Sequence, residues 1–369
     1  MAAVGMLLDP MKVGSEAEAL KSKLRKRVVG QDEAIHQIVD VYQTFLAGLT
    51  TPARPVGSFL FLGPTGSGKT RTVEAVGEAL AGDERALIKI DCAEYQHGHE
   101  IAKLIGSPPG YLGHRETHPL LSQEALDQYK TSDGKLSFVL FDEVEKASDA
   151  LWNLLLGILD KATLTLGDNR RVDFSHAMIF LTSNLGAREI ESLLRPKLGF
   201  APQPETQPGG TAAAGQDTSQ VSHVGVEAAR RRFSPEFINR LDKIVVFSPL
   251  GSAELRGILS LELRLLRDRI HRATGTTSID FEISRAVEDY LLQEGTDPRY
   301  GARHLKRTIE RLLVHPLANL IATGQIQTGD AVQVELADAG PSGGLLFLKQ
   351  KRAPAGFPEE MPAHKALAA

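Results

Sequence analysis

Two stretches of this 369-residue chain carry residue types at spacings that can handle a polyphosphate. The first, Gly63-Pro64-Thr65-Gly66-Ser67-Gly68-Lys69-Thr70, follows the apolar run 58–62 and opens a helical pattern at Arg71. Glycines let backbone amides curl around an anion, and the amino end of the following helix adds partial positive charge. Lys69 can then reach the terminal phosphates while the Thr70 hydroxyl ligates Mg²⁺, so the stretch predicts a nucleotide held by residues Gly63 to Arg71. The second stretch, Asp142-Glu143, ends the apolar run 136–143 and lies 72 residues beyond Thr70. Ligands of parallel sheets bind beyond the carboxyl ends of strands, which places both carboxylates beside the phosphates. Asp142 suits the Mg²⁺ shell, and Glu143 suits orienting or deprotonating an attacking water. Asn184 ends a third run, 177–184, at the same expected edge. Its uncharged amide can hold a water or the γ-phosphate, and its weight comes from position.

These residues need a scaffold. The runs at 58–62, 86–91, 136–143, 177–184 and 243–248 are apolar at nearly every position and separated by helical stretches. Such strands are buried on both faces, so the fold expected is α/β, a parallel sheet covered by helices. After residue 250 helical pattern dominates, at about 253–272, 284–294 and 302–323, with short strands at 278–283, 331–336 and 345–349. The organisation expected is an N-terminal segment over 1–20, a large ATP-handling α/β domain over 21–249, a small mainly helical domain over 250–350 and a disordered tail over 351–369. Within the large domain, "APQPETQPGGTAAAGQDT" has no periodicity and reads as a flexible insertion over about 201–222.

Composition narrows the function classes. With 42 Lys and Arg against 46 Asp and Glu, the net charge of −4 offers no bulk attraction to nucleic acid or to an anionic membrane. The single cysteine, Cys92, excludes an intrachain disulfide and any multi-cysteine zinc site, and it reads as a small buried hydrophobe in a reducing compartment. No window approaches the ~18 apolar residues that span a bilayer, and the start of the chain has no basic run before its short apolar stretch. The expectation is a cytoplasmic protein without a membrane partner.

Taken together, the segments "RVVGQDEAI", "GSFLFLGPTGSGKT", "IGSPPGYLGH", "FDEVEKAS", "TSNLG", "FSPEFINRLDKIVVFSPL" and "DPRYGARHLKRTIERLLVHPLA" resemble the AAA+ ATPases of the Clp unfoldase family. The likeness is strongest to the second ATPase module of ClpB, ClpA and ClpC, and it runs from about Lys21 to Lys349. It implies a P-loop AAA+ ATPase using ATP and Mg²⁺, assembled as a homo-oligomeric ring, a hexamer, that acts on polypeptide. It also implies roles for particular positions. Arg240 matches the arginine finger that reaches a neighbour's γ-phosphate, and Arg303 matches the sensor-2 arginine. Val28 and Val29 match the apolar residues that flank adenine. Tyr111 and Leu112, set in "GYLG", match the channel loop that grips a threaded chain, which explains an aromatic residue between glycines; "TLGDNRR" at 165–171 falls near a second channel loop.

The resemblance has departures. The chain has no counterpart of the family's N-terminal domain, first ATPase module or coiled-coil middle region, so a stand-alone single ring is expected. After "GYLG" come "HRETHP" instead of acidic and glycine residues. Leu198, Gly199 and Phe200 fall where peptidase-docking members carry an apolar tripeptide, so a ClpP-like peptidase is a further partner to consider, against simple packing of the preceding helix. Two other functions stay open at this point: a DNA-acting motor, which calls for basic channel loops, and a nucleotide-dependent switch that threads nothing.

Overall fold

The computed structural model describes residues 9–10, 12–107, 118–128, 130–131, 136–194, 213–274, 279–297, 301–337 and 344–350. They fall into two compact units; the chain passes from the first to the second between Glu254 and Leu255, inside the helix Ser252–Thr274, and Gly301 belongs to the first.

The first unit holds strands β1 (Gly57–Leu62), β2 (Ile88–Asp91), β3 (Ser137–Asp142), β4 (Thr163–Thr165), β5 (Arg171–Asp173), β6 (Ala177–Ser183) and β7 (Lys243–Val246). Five of them form one parallel sheet in the order β2-β3-β6-β1-β7. Every residue of β1 and β6 is buried, as expected of strands covered on both faces. Alternation of side chains divides their apolar residues between two cores. Phe59, Phe61, Phe138 and Phe180 pack on one face with Leu20, Leu24, Ile35, Ile38, Val73 and Val76 of three helices, Ser15–Arg25, Asp32–Leu46 and Lys69–Ala81. Leu60, Leu62, Val139, Phe141, Ile179 and Leu181 face the other core, which the helix Asp149–Lys161 closes with Leu151, Leu155 and Ile158. Phe59 stacks on its register partner Phe180 with ring centroids 5.0 Å apart. The sheet is thus clamped from both sides, and its carboxyl edge is left to loops.

The second unit is mainly helical and carries a three-stranded sheet of β8 (Asp280–Ile283), β9 (Ala331–Leu336) and β10 (Leu345–Gln350) in the order β10-β9-β8. β8 runs parallel to β9, and β10 antiparallel to it. The helical stretch expected over 302–323 runs from Ala302 to Ala322 but widens into a π turn at Glu310–Val314. Pro316 has no N–H to close the regular bond there, and the wider turn takes up the gap.

Two expectations need correction. The boundary expected at residue 20 falls inside a helix: Ser15–Arg25 is continuous, and its Ala17, Leu20 and Leu24, spaced three and four apart, are buried in the core of the large unit. The insertion expected over 201–222 is helical from Ala213, where Ala213 and Ala214 begin the helix Ala213–Arg232; alanines propagate a helix that apolar contacts at Val221 and Ala229 then anchor. Residues 166–170, within the stretch expected near a second channel loop, connect a β-hairpin in which β4 pairs antiparallel with β5 from Thr163↔Asp173 to Thr165↔Arg171. Among the described residues no helix is long and apolar enough to cross a membrane.

Candidate functional site

The glycine-rich loop leaves β1 at Gly63 and enters the helix Lys69–Ala81 at Gly68. Gly63 has φ 138°, and a Cβ there would stand 2.5 Å from the carbonyl oxygen of Phe247, so only glycine lets the loop start its curl against the neighbouring strand. Lys69, almost wholly buried, donates from Nζ to the carbonyl oxygens of Gly63 at 2.7 Å and Pro64 at 2.9 Å and to Oδ1 of Asn184 at 2.9 Å. The loop braces itself: Ser67 Oγ donates to Pro64 O at 2.9 Å, and Thr65 Oγ1 to Asn184 Oδ1 at 3.4 Å. A buried ammonium at a helix amino terminus is a cation held ready for phosphate oxygens.

Across from it, β3 ends in Asp142. The Thr70 hydroxyl lies 3.3 Å and 3.4 Å from the two Asp142 carboxylate oxygens, Thr182 Oγ1 donates closely to one of them, and Lys89 is 3.9 Å away. Hydroxyl and carboxylate oxygens this close suit a hard divalent cation. Glu143 takes a left-handed backbone, φ 55° and ψ 47°, fixed by its own N–H donating to Thr182 Oγ1 at 3.1 Å. A non-glycine residue in that region is uncommon, and here it turns Glu143 out of the strand and toward Asn184. Asn184 Nδ2 donates to Glu143 Oε1 at 3.4 Å, and the Asn184 N–H donates to Glu145 Oε1 at 3.2 Å. Lys146 holds the other Glu143 oxygen in a close ion pair. Burial, with the charge of Asp142 next, pushes the Cys92 thiol well above its ordinary range, so Cys92 lies protonated beneath this edge as a packing residue.

The structure therefore brings Lys69, Thr70, Asp142, Glu143 and Asn184 together at the carboxyl edge of β1, β3 and β6. Val28 is buried and Val29 half-buried just ahead of Gln31, whose amide donates at 3.0 Å both to Ser67 O in the loop and to Ser248 O. Arg71 faces acids on the helix surface, Glu74, Glu78 and Glu84, at 3.3–3.9 Å.

Arg240 lies elsewhere. Its carbonyl accepts from Ser58 Oγ at 3.3 Å, at the amino end of β1, whereas Lys69 belongs to the loop at the carboxyl end. At about 3.3 Å per residue, the two ends of that strand are roughly 15 Å apart. The Arg240 guanidinium is paired with Glu236 at 2.8 Å and Asp160 at 3.2 Å, and the bond to Glu236 raises its proton affinity further above the ordinary arginine value. Arg303 belongs to the second unit and is exposed on the helix Ala302–Ile309. Tyr111, Leu112, Leu198, Gly199 and Phe200 lie outside the described residues.

Gln31, Thr182, Glu145 and Lys146 all sit within the motifs quoted above, but residue chemistry alone singles out none of them.

A family model described as AAA domain (Cdc48 subfamily) matches residues 54–244. The chain belongs to this AAA domain family. Residues 250–334 of the AAA chain match the C-terminal, D2-small domain, of ClpB protein. Chaperone protein ClpB of Bdellovibrio bacteriovorus is 39% identical over 316 residues, covering 86% of this chain and 33% of the relative. Chaperone protein ClpB of Rhodopseudomonas palustris is 37% identical over 353 residues, covering 94% and 36%. A closed-state reconstruction of Hsp104 with ATPγS and FITC casein superposes with a TM-score of 0.71 at 29% identity, over 90% of this chain and 52% of that one. The AAA chain spans about a third of the length of these curated relatives. As a member of this family it binds nucleotide and is an ATPase.

Proposed function

We propose that this AAA chain is an ATP-driven unfoldase or remodeller of proteins, working in the cytoplasm as a homo-oligomeric ring of six. What carries the reading is the separation of two sets of charge: a hydrolytic set at one end of β1 and Arg240 at the other. A guanidinium that far from its own phosphate site is useful when it enters the site of an adjacent copy. The names of the relatives and the casein in the Hsp104 reconstruction support polypeptide as the load.

In this reading Gly63 to Gly68 present backbone amides to the phosphates, and Lys69 transfers its bonds from the loop carbonyls and Asn184 to β- and γ-phosphate oxygens. Val28 and Val29 flank the adenine, Arg71 lies at the rim of the nucleotide site, and Arg303 senses the nucleotide from the small unit. Thr70 and Asp142 would hold Mg²⁺, which neutralises phosphate charge when bound. Glu143 orients the attacking water and takes its proton, while Asn184 holds the γ-phosphate side of that water. Arg240 of a second copy balances charge on the phosphoryl oxygens. Tyr111 and Leu112 grip the polypeptide by contact area in the channel. Docking of a ClpP-like peptidase through Leu198, Gly199 and Phe200 has no support in the names of the relatives, and no peptidase enters this reading.

The deciding experiment follows native fluorescence of a stable protein with an unstructured tail. With ATP, the wild type is expected to unfold it, and Tyr111→Ala to hydrolyse ATP without unfolding. Hydrolysis with no unfolding by the wild type would leave a nucleotide switch in place of a motor.

A further inference from the structure

In the turn that follows β3, Glu145 holds the main chain of Asn184, and Lys146 is left without a task in the proposed mechanism. We propose that Lys146 is a positioning residue, a latch that holds the Glu143 carboxylate away from the attacking water until the γ-phosphate is seated. The latch presupposes Glu143 as the base.

Both carboxylate oxygens of Glu143 are engaged. Oε2 pairs closely with Lys146 Nζ, three residues on, and Oε1 accepts from Asn184 Nδ2 at 3.4 Å. Because Thr182 fixes the Glu143 backbone through its N–H at 3.1 Å, the direction of the carboxylate is set by those two side-chain partners. Lys146 thus occupies one carboxylate oxygen and Asn184 the other, which leaves neither turned to a water. To accept a proton from water, Glu143 has to part from Lys146.

The surroundings make that parting easy. Lys146 is a cation among three acids: its bond to Glu143 raises its proton affinity most, and the charges of Glu143, Glu145 and Asp91 add to this. It can therefore leave Glu143 without losing all its acidic neighbours, and its side chain is 47% exposed. A permanent strap would have one partner and a buried stem. The trigger lies on the opposite side of the carboxylate. Asn184 bonds Glu143 through Nδ2 and Lys69 through Oδ1 at 2.9 Å, so the amide that touches the base also touches the phosphate-binding ammonium. When Lys69 turns to phosphate, Asn184 is released to swing, and Glu143 loses one of its two side-chain holds, leaving only the exposed pair with Lys146 to be broken.

Basal ATP turnover and affinity for a non-hydrolysable ATP analogue are measured for the wild type, Lys146→Met, Lys146→Arg, Glu143→Gln and the Lys146→Met/Glu143→Gln pair. Lys146→Met is expected to raise basal kcat about fivefold, which is about 1 kcal/mol at ~1.36 kcal/mol per decade, with Kd unchanged. Lys146→Arg keeps the ion pair and is expected to stay within about twofold of the wild type. The double variant is expected to be as slow as Glu143→Gln. A kcat of Lys146→Met at or below wild type, or a Kd that moves in parallel with kcat, overturns the latch. Normal turnover by Glu143→Gln would instead remove the base assignment and the latch with it, so the two failures are read from different variants.

Discussion

Asn184 touches both charges that a hydrolysing site has to coordinate, the Lys69 ammonium at 2.9 Å and the Glu143 carboxylate at 3.4 Å. An amide does this where a charged residue would not: it accepts from the cation and donates to the anion without adding charge to either. Its main-chain N–H is also committed, to Glu145, so the residue is anchored while its side chain is shared. Replacing it is therefore expected to harm turnover more than binding. Asn184→Ala should lower kcat by roughly ten- to a hundredfold, in keeping with the loss of one preorganised polar group, with nucleotide Kd changed by less than about threefold. Stopped-flow binding with a fluorescent nucleotide beside steady-state turnover separates the two, and an equal loss in both would make Asn184 a loop brace only. At this scale Lys69, Thr70, Asp142 and Glu143 were legible because each lies in a short contiguous pattern. Asn184 became informative only with the sheet order, since β6 has to lie between β3 and β1 for its end to face both.

Elements were legible in proportion to how far their burial is periodic. Strands apolar at every position announced a sheet covered on both sides, and β1, β3 and β6 are that. β4 and β5, three residues each, are too short for alternation to stand out, and their pairing rests on hairpin contacts. The basic run Lys21–Arg27 has the look of a solvated helix face, but part of it is engaged. Lys23 Nζ donates to Ala79 O at 3.0 Å, and Arg27 pairs with Glu78 at 2.9 Å, tying the first helix to the one that starts at Lys69. The hydrogen bond from Arg27 is the main reason that the Glu78 carboxyl is held below the usual glutamate value. A carboxyl lowered in the folded state stabilises the fold above its unfolded value and loses that contribution as pH falls through the lowered one. Glu78→Gln is thus expected to lower stability at pH 7 by about 0.5 kcal/mol, given partial exposure of the pair. Urea titrations at falling pH should show the gap closing below about pH 4, and a gap independent of pH would assign Glu78 a packing role alone.

Seen as a whole molecule, the chain sets its candidate hydrolytic residues and Arg240 at opposite ends of one strand. Glu143 and Lys69 face one end of β1, while Arg240 is braced at the other by Asp160, Glu236, Ser58 and Arg54. That bracing also shows why sequence alone could not place Arg240: its match to a family motif predicted a role, but only the pairing of Asp242 with Ser58 fixes the strand end at which it sits. If a neighbouring copy supplies Arg240, each centre needs Glu143 from one chain and Arg240 from the next, and two variants that are inactive alone should rescue one another. Glu143→Gln and Arg240→Ala are each expected to lose at least about a hundredfold in turnover. Mixed in equal amounts and allowed to exchange, they should regain activity, because a centre formed by the base of an Arg240→Ala chain and the arginine of a Glu143→Gln chain is intact. Random assembly makes roughly a quarter of the centres of that kind, so turnover should approach roughly a quarter of wild type if centres act independently and fall below it if they act in concert. Turnover of the mixture equal to the mean of the two variants alone would place Arg240 outside any neighbour's chemistry and leave it a brace for the amino end of β7.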